Sequence, residues 1–435
     1  MDKKKYLDLK NKYKKGILKN GMKFIISDNP LHNTASIVFF VRVGSRNEST
    51  KEYGLAHLLE HILFKGTKKY PTYKLLNERI DSLHINTNAG TTKNYTNFFF
   101  KLPSKNFLEG LELLKEIIFN SIIDENELKK EKKVVIEEIN QSIDDSIEYA
   151  GDLLDINLYK NHPLSHLILG NKQNVRRISR GELFNFYKKY YIPNNICLAL
   201  SGNIPNNINK ILENMFMNNK SKNIKFNFKN INLDLQKPNF LVKNRKREQI
   251  AVCIGIPIFN IYDNRKYICD IISSLLYGNM TSRLWIGLRE KNPLVYGCDV
   301  DFEFYEEGGA FKIELGLSKK NLGKAFNVIF KELNRLKNEL INKKELDYIR
   351  NNLIEDLLEE EEDNLEIANY YGELCLLDEN IVTYKNLINI YSKINSKQIR
   401  ELSNEIFDFS KCTIVEVGDV SQTNLKKLFF DNINL

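Results

Sequence analysis

Apolar residues recur along this chain on two periods. The stretches Thr34-Ala-Ser-Ile-Val-Phe-Phe, Asn97-Phe-Phe-Phe-Lys-Leu102 and Leu198-Ala-Leu-Ser-Gly-Asn203 are short and largely apolar, as are Gln249-Ile-Ala-Val-Cys-Ile-Gly, Gly309-Ala-Phe-Lys-Ile-Glu-Leu315 and Ile414-Val-Glu-Val-Gly-Asp419. They read as strands. Between them, apolar residues at spacings of three and four mark amphipathic helices. Leu55, Leu58, Leu59, Ile62 and Leu63 form one face of such a helix, with no proline inside it and Gly66 as a stop signal. A second, longer helix is expected from Glu127 to Ser146, opened by the N-cap signature of Asp124 and Glu127. Alternating strand and helix signals of this kind call for mixed sheets with helices packed on them.

The strand signals also repeat. Thr34–Phe40 corresponds to Gln249–Gly255, and Leu198–Asn203 to Ile414–Asp419, each pair offset by close to half the chain. At 435 residues the chain exceeds what one hydrophobic core serves, so two related domains of about 200 residues are expected. Residues 217–237 are rich in asparagine and lysine and poor in apolar periodicity, which marks a linker between domains at 1–216 and 238–435.

Composition narrows the function. The net charge is +8, but lysine is dispersed rather than clustered, as on a solvated surface, and no nucleic-acid partner is expected. The acidic run Glu355–Asp363 reads as an exposed helix face. Six cysteines occur without a Cys-x-x-Cys pair and sit in apolar patterns, so reduced core residues are expected. The first ten residues lack both a secretory apolar core and the arginine-rich character of a transit peptide, and no apolar run is long enough to span a membrane. The expected compartment is the cytoplasm.

Against this background one segment carries chemistry. His57-Leu-Leu-Glu-His61 sets two imidazoles four residues apart, one above the other on a helix, with Glu60 beside them. That order is the inverse of His-Glu-x-x-His and is the inverzincin arrangement. A hydrolytic zinc needs a third protein ligand and one open position. On the long helix, Leu128, Glu131, Val135, Glu138 and Ser142 share a face, so Glu131 and Glu138 lie two turns apart; by spacing alone they read as solvated charges, the usual fate of glutamates in a helix this rich in lysine and glutamate, with a ligand role the lesser alternative. The other histidines lack such company: His32 and His84 have no partner at ligand spacing, and His162 and His166 read as structural.

Two stretches resemble one family throughout. Gly54-Leu-Ala-His-Leu-Leu-Glu-His-Ile-Leu-Phe-Lys-Gly-Thr67 and Glu131-Lys-Lys-Val-Val-Ile-Glu-Glu-Ile139 are similar to the paired motifs of the M16 zinc metallopeptidases, the pitrilysin, insulysin and mitochondrial processing peptidase family, in its short two-domain M16B-like form. Tyr191–Asn203 resembles the strand that closes the family's first domain. Tyr277–Trp285 with Leu288–Tyr296 resembles its second-domain motif, although Tyr277 and Asn279 depart from the usual glycine-rich form.

The resemblance implies an α+β fold of two homologous domains, each a mixed, mostly antiparallel sheet packed with helices, the LuxS/MPP-like metallohydrolase fold, assembled as a clamshell dimer. It implies one zinc ion per chain held by His57, His61 and Glu138, with Glu60 as general base and Glu131 orienting a ligand. Glu137 is turned away from Glu131 by helical phase and ranks below Glu138. Arg289 and Tyr296 are implied to donate hydrogen bonds to the substrate carbonyl and to the oxyanion formed from it. Asp270–Tyr277 stands in the second half where the first has its metal helix, so no metal is expected there.

Substrates are implied to be unstructured peptides that add as a strand at Asn88-Ala89. Partners are implied to be a second copy of this chain or a metal-free homologue. A noncatalytic assembly subunit of the same fold is the alternative; such chains lose metal residues that are all present here.

Overall fold

The computed structural model describes residues 13–433 except 225, 227, 229, 230 and 232–236. Part of the expected linker therefore lies outside the described residues. The chain folds into two compact units, each built on one sheet.

In the first unit, β1 (Lys14–Ile17), β2 (Lys23–Asp28), β3 (Thr34–Val41), β4 (Asn86–Thr91), β5 (Thr96–Pro103) and β6 (Ile196–Gly202) form a six-stranded sheet in the order β1-β2-β6-β3-β5-β4. All pairings are antiparallel except β2 with β6. In the second unit, β7 (Asn239–Asn244), β8 (Gln249–Ile258), β9 (Val295–Phe304), β10 (Gly309–Ser318) and β11 (Thr413–Gly418) run in the order β7-β11-β8-β10-β9, with β7 and β11 parallel. The order β2-β6-β3-β5-β4 in one sheet is thus repeated strand for strand in the other. The expected repeat pairs, β3 with β8 and β6 with β11, occupy equivalent places. A mixed, mostly antiparallel α+β architecture follows as expected.

Six helices matter below: α1 (Leu55–Leu63), α2 (Glu125–Asp144), α3 (Ser146–Leu158), α4 (Lys266–Tyr277), α5 (Lys343–Glu360) and α6 (Asn364–Leu376). The long helix begins at Glu125 because Asp124 Oδ1 accepts the N–H groups of Asn126 and Glu127 at 2.9 and 3.0 Å. It ends before Asp145, which caps α3 in the same way through Ile147 and Glu148.

The compact units do not coincide with the contiguous division at 1–216 and 238–435. Residues 140–165, which carry α3, pack in the second unit, and residues 358–385, which carry α6, pack in the first. The cause is sheet burial. β6 is buried at every position and β8 at every position after Gln249, so each sheet needs helices on both faces.

In the first unit, α6 packs across β3, β6 and β2. Gly372 permits the close approach, since a Cβ there would lie 2.3 Å from the Phe40 ring. In the second unit, Ala150 and Leu154 of α3 pack against Ala251, Cys253, Val415 and Val417. Local periodicity predicts each helix but says nothing about which sheet it covers. The acidic run likewise resolves into two parts: Glu355, Asp356, Glu359 and Glu360 are exposed at the end of α5, while Asp363 caps α6 and pairs with Lys101 at 2.8 Å.

Candidate metal centre

α1 is fixed at its start by a residue the sequence pattern did not flag. The buried carboxylate of Glu48 accepts the N–H groups of Gly54 at 2.9 Å and Ala56 at 2.7 Å, which are donors left open at a helix N-terminus. Burial pushes the Glu48 carboxyl well up, while these backbone donors pull it down. Gly54 itself takes φ of 88°, a left-handed conformation that suits glycine. An acid a few residues before an αL glycine was the available signal.

From this anchor the apolar face of α1, from Leu55 to Leu63, is fully buried. The opposite face turns His57, Glu60 and His61 toward α2, where Glu131 and Val135 are buried and Glu138 is half-buried. Glu138 Oε2 lies 3.8 Å from His57 Nε2 and 3.7 Å from His61 Nε2, and the three ligand atoms fall within 4.8 Å of one another. Ligands on a tetrahedral zinc are about 3.3–3.5 Å apart for bonds of about 2.0–2.1 Å. A small inward adjustment therefore closes the site. Glu138 Oε2 is buried and has no hydrogen-bond partner, a costly arrangement that an ion between the three residues relieves. The residues fit zinc. Glu137, the neighbouring acid, is exposed.

The surroundings set protonation. Burial, followed by the neighbouring His61, pushes His57 down to about 4, so its imidazole is neutral and ready to ligate at physiological pH. His61 is also penalised by burial, but Glu131, Glu138 and Glu60 together outweigh that and hold it above its ordinary value. Its Nδ1 faces Glu131 Oε2 at 3.2 Å, which leaves Nε2 directed toward Glu138. The other oxygen of Glu131 pairs with Lys65 Nζ at 2.9 Å. Although burial raises it, the bonds to His61 and Lys65 prevail and keep the Glu131 carboxyl below its ordinary value. Lys65 follows His61 by four residues, and the motif's spacing by itself gives it no role.

Glu60 stands beside the triad, its Oε2 accepting a 2.6 Å hydrogen bond from Thr91 Oγ1. Burial is the main cause that raises its pKa, with the Thr91 bond and His61 opposing. Thr91 closes β4, one of the two edge strands of the first sheet, which also carries Asn88 and Ala89. The Ala89 N–H is occupied by Asn88 Oδ1 at 2.9 Å.

Arg289 and Tyr296 belong to the second unit. The Arg289 guanidinium sits 4.4 Å over the Trp285 ring at the end of a π-helical turn, Ile286–Glu290. Tyr296 is the second residue of β9, is 47% exposed, and donates to the Ile250 carbonyl at 3.4 Å. Of the remaining histidines, His32 bonds Asn364 at 2.7 Å, His162 Nδ1 accepts the Leu164 N–H, His166 meets the Ser45 carbonyl, and His84 is exposed. No helix among the described residues is long and apolar enough to cross a membrane.

The chain is similar to known proteins over most of its length. Residues 23–172 match the family model described as insulinase (peptidase family M16), and residues 177–353 match that described as the peptidase M16 inactive domain. An uncharacterized zinc protease of Bacillus subtilis (strain 168) is 28% identical over 407 residues, covering 92% of this chain and 98% of its own. Among solved structures, a protease from Helicobacter pylori superposes with a TM-score of 0.87 at 22% identity, over 93% of this chain and 99% of that one. A chain of complex III2 from Candida albicans shares the fold at a TM-score of 0.78 and 15% identity, over 96% and 99%.

Proposed function

Since this chain belongs to the insulinase family, peptidase family M16, we propose that it is a zinc-dependent endopeptidase acting on unstructured peptides. The observation that carries the reading is the convergence of His57, His61 and Glu138 on one ligand-sized volume, with the buried Glu138 Oε2 otherwise without a partner.

A single zinc ion held by these three residues supplies Lewis-acid chemistry that brings the ionisation of water toward neutral pH. His57 and His61 present neutral Nε2 atoms, and Glu131 directs the His61 ring through Nδ1. Glu60 takes the proton from the attacking water and returns it to the leaving amine, a role suited to a carboxylate whose pKa is raised by burial. The peptide adds to β4 at Asn88 and Ala89 as an extra strand, which displaces the Asn88 side chain from the Ala89 N–H. Arg289 and Tyr296 donate hydrogen bonds to the carbonyl and the developing oxyanion. We assign them to a dimeric, closed chamber, formed by two copies of this chain or with a metal-free homologue. General degradation and precursor maturation use the same residues.

The test is zinc content together with cleavage of a quenched unstructured peptide by the native chain and by Glu60→Gln. Stoichiometric zinc in both, with kcat lower by about 10²–10⁴-fold in the variant, supports the reading. Absence of zinc from the native chain, or stoichiometric zinc without cleavage of any peptide, sinks it and favours a noncatalytic assembly role.

A further inference from the structure

The carboxylate of Glu60 has two oxygens, and the hydrogen bonds around them distinguish one from the other. Oε2 accepts the Thr91 hydroxyl at 2.6 Å, a short, charge-assisted contact, and that bond is its one hydrogen bond among the described residues. Thr91 in turn has a defined neighbour. Thr96, opposite it on β5 and fully buried, lies 3.5 Å away through Oγ1. The Thr96 proton is committed to the Val43 carbonyl at 2.8 Å, so Thr96 cannot donate to Thr91. A hydroxyl has one proton to give, and the close anionic acceptor is Glu60 rather than the distant Thr96 oxygen.

Resting on the peptidase reading, we propose that Thr91 is the positioning residue for Glu60: its hydroxyl holds Oε2 and leaves Oε1 as the oxygen that receives the proton. The placement of Thr91 gives the arrangement a second consequence. It is the last residue of β4, two residues beyond Ala89, so the strand that takes up the peptide backbone also orients the base. A carboxylate on a helix is otherwise free to turn about its terminal torsion, which is broad. Misplacing a reacting group by about 1 Å costs on the order of 10²-fold in rate.

The experiment compares zinc-loaded native chain, Thr91→Val and Thr91→Ser in cleavage of a quenched peptide, with zinc content measured for each. Valine keeps the β-branched shape suited to the strand but not the hydroxyl. The expected result is a kcat lower by about 10- to 100-fold in Thr91→Val with KM changed by less than about threefold, and recovery to within about threefold in Thr91→Ser.

A readout independent of turnover comes from peptide binding to Glu60→Gln, followed by fluorescence anisotropy. Adding Thr91→Val to that variant is expected to leave the peptide Kd within about twofold, because Thr91 acts through Glu60. A tenfold weaker Kd there would assign Thr91 to strand docking and overturn the proposal, as would a native kcat in Thr91→Val beside an active parent. Failure of the zinc-loaded native chain to cleave any peptide would instead overturn the peptidase reading, and this proposal with it.

Discussion

Replacing Lys65 by methionine tests how the metal helix is held, because two simple accounts of that residue predict opposite signs. Lys65 Nζ lies 2.9 Å from Glu131 Oε1, and Glu131 Oε2 lies 3.2 Å from His61 Nδ1. Glu131 is 6% exposed, so its carboxylate depends on these two partners rather than on water. A hydrogen bond to a charged group contributes about 1.5–3 kcal/mol, and partial exposure of the lysine, 22% at the side chain, screens some of it. About 1–2 kcal/mol remains to hold Glu131 against His61, which corresponds to a zinc affinity weaker by roughly 5- to 30-fold in Lys65→Met.

Electrostatics alone predicts the reverse, since removing a positive charge beside a dication site should tighten binding. The assay is competition for zinc against a chromophoric chelator near neutral pH, with the full chain. Glu131→Ala is expected to weaken binding by about 10- to 100-fold, and adding Lys65→Met to it to change little further, as befits a residue acting through another. Unchanged or tighter zinc binding in Lys65→Met refutes the positioning account.

Other consequences follow from the same structure. Because His57 is already neutral above about 4 while His61 is held above its ordinary value, zinc uptake between about pH 5 and 6.5 should release close to one histidine proton per ion. Affinity should fall as pH drops through that window, and a release nearer two would show that His57 is protonated too. In the second unit, burial pushes Glu416 up to about 7 against the N–H of Val420, and its Oε2 has no partner. A carboxyl raised in the folded state stabilises fully below about 4.5 and loses that contribution as pH rises through about 7. Glu416→Gln should therefore raise Tm by a few degrees at pH 8 relative to the parent and converge with it near pH 5; parallel curves would contradict this. Lys312, 6% exposed, pairs with the buried Asp155 and the partly exposed Glu303 at 2.6 Å each, so Lys312→Met removes the cation that both carboxylates face. A loss of about 3–5 kcal/mol in denaturant unfolding is expected, and a loss below about 1 kcal/mol would mean that water reaches the pair.

The local pattern of residues determined a good deal by itself. The spacing of His57, Glu60 and His61 fixed their common face, because helical geometry is set by the backbone and needs no distant partner. The period-two and apolar runs gave β3, β5, β6, β8, β10 and β11 for the same reason. The repeat of one half in the other anticipated two sheets with a shared strand order. Spacing could not choose between Glu131 and Glu138, since both lie on one face of α2. It took the packing of α2 against α1 to bring Glu138 Oε2 near both Nε2 atoms and Glu131 near His61 Nδ1.

Contacts between residues far apart in sequence were likewise invisible before folding: Glu60 with Thr91, and Lys65 with Glu131. The assignment of α3 and α6 to the sheets they cover belongs to the same class. An amphipathic stripe records that a helix must be buried, but any complementary apolar face satisfies it equally. Which face is nearby is decided by how the whole chain closes its two sheets, and that is a property of tertiary packing alone.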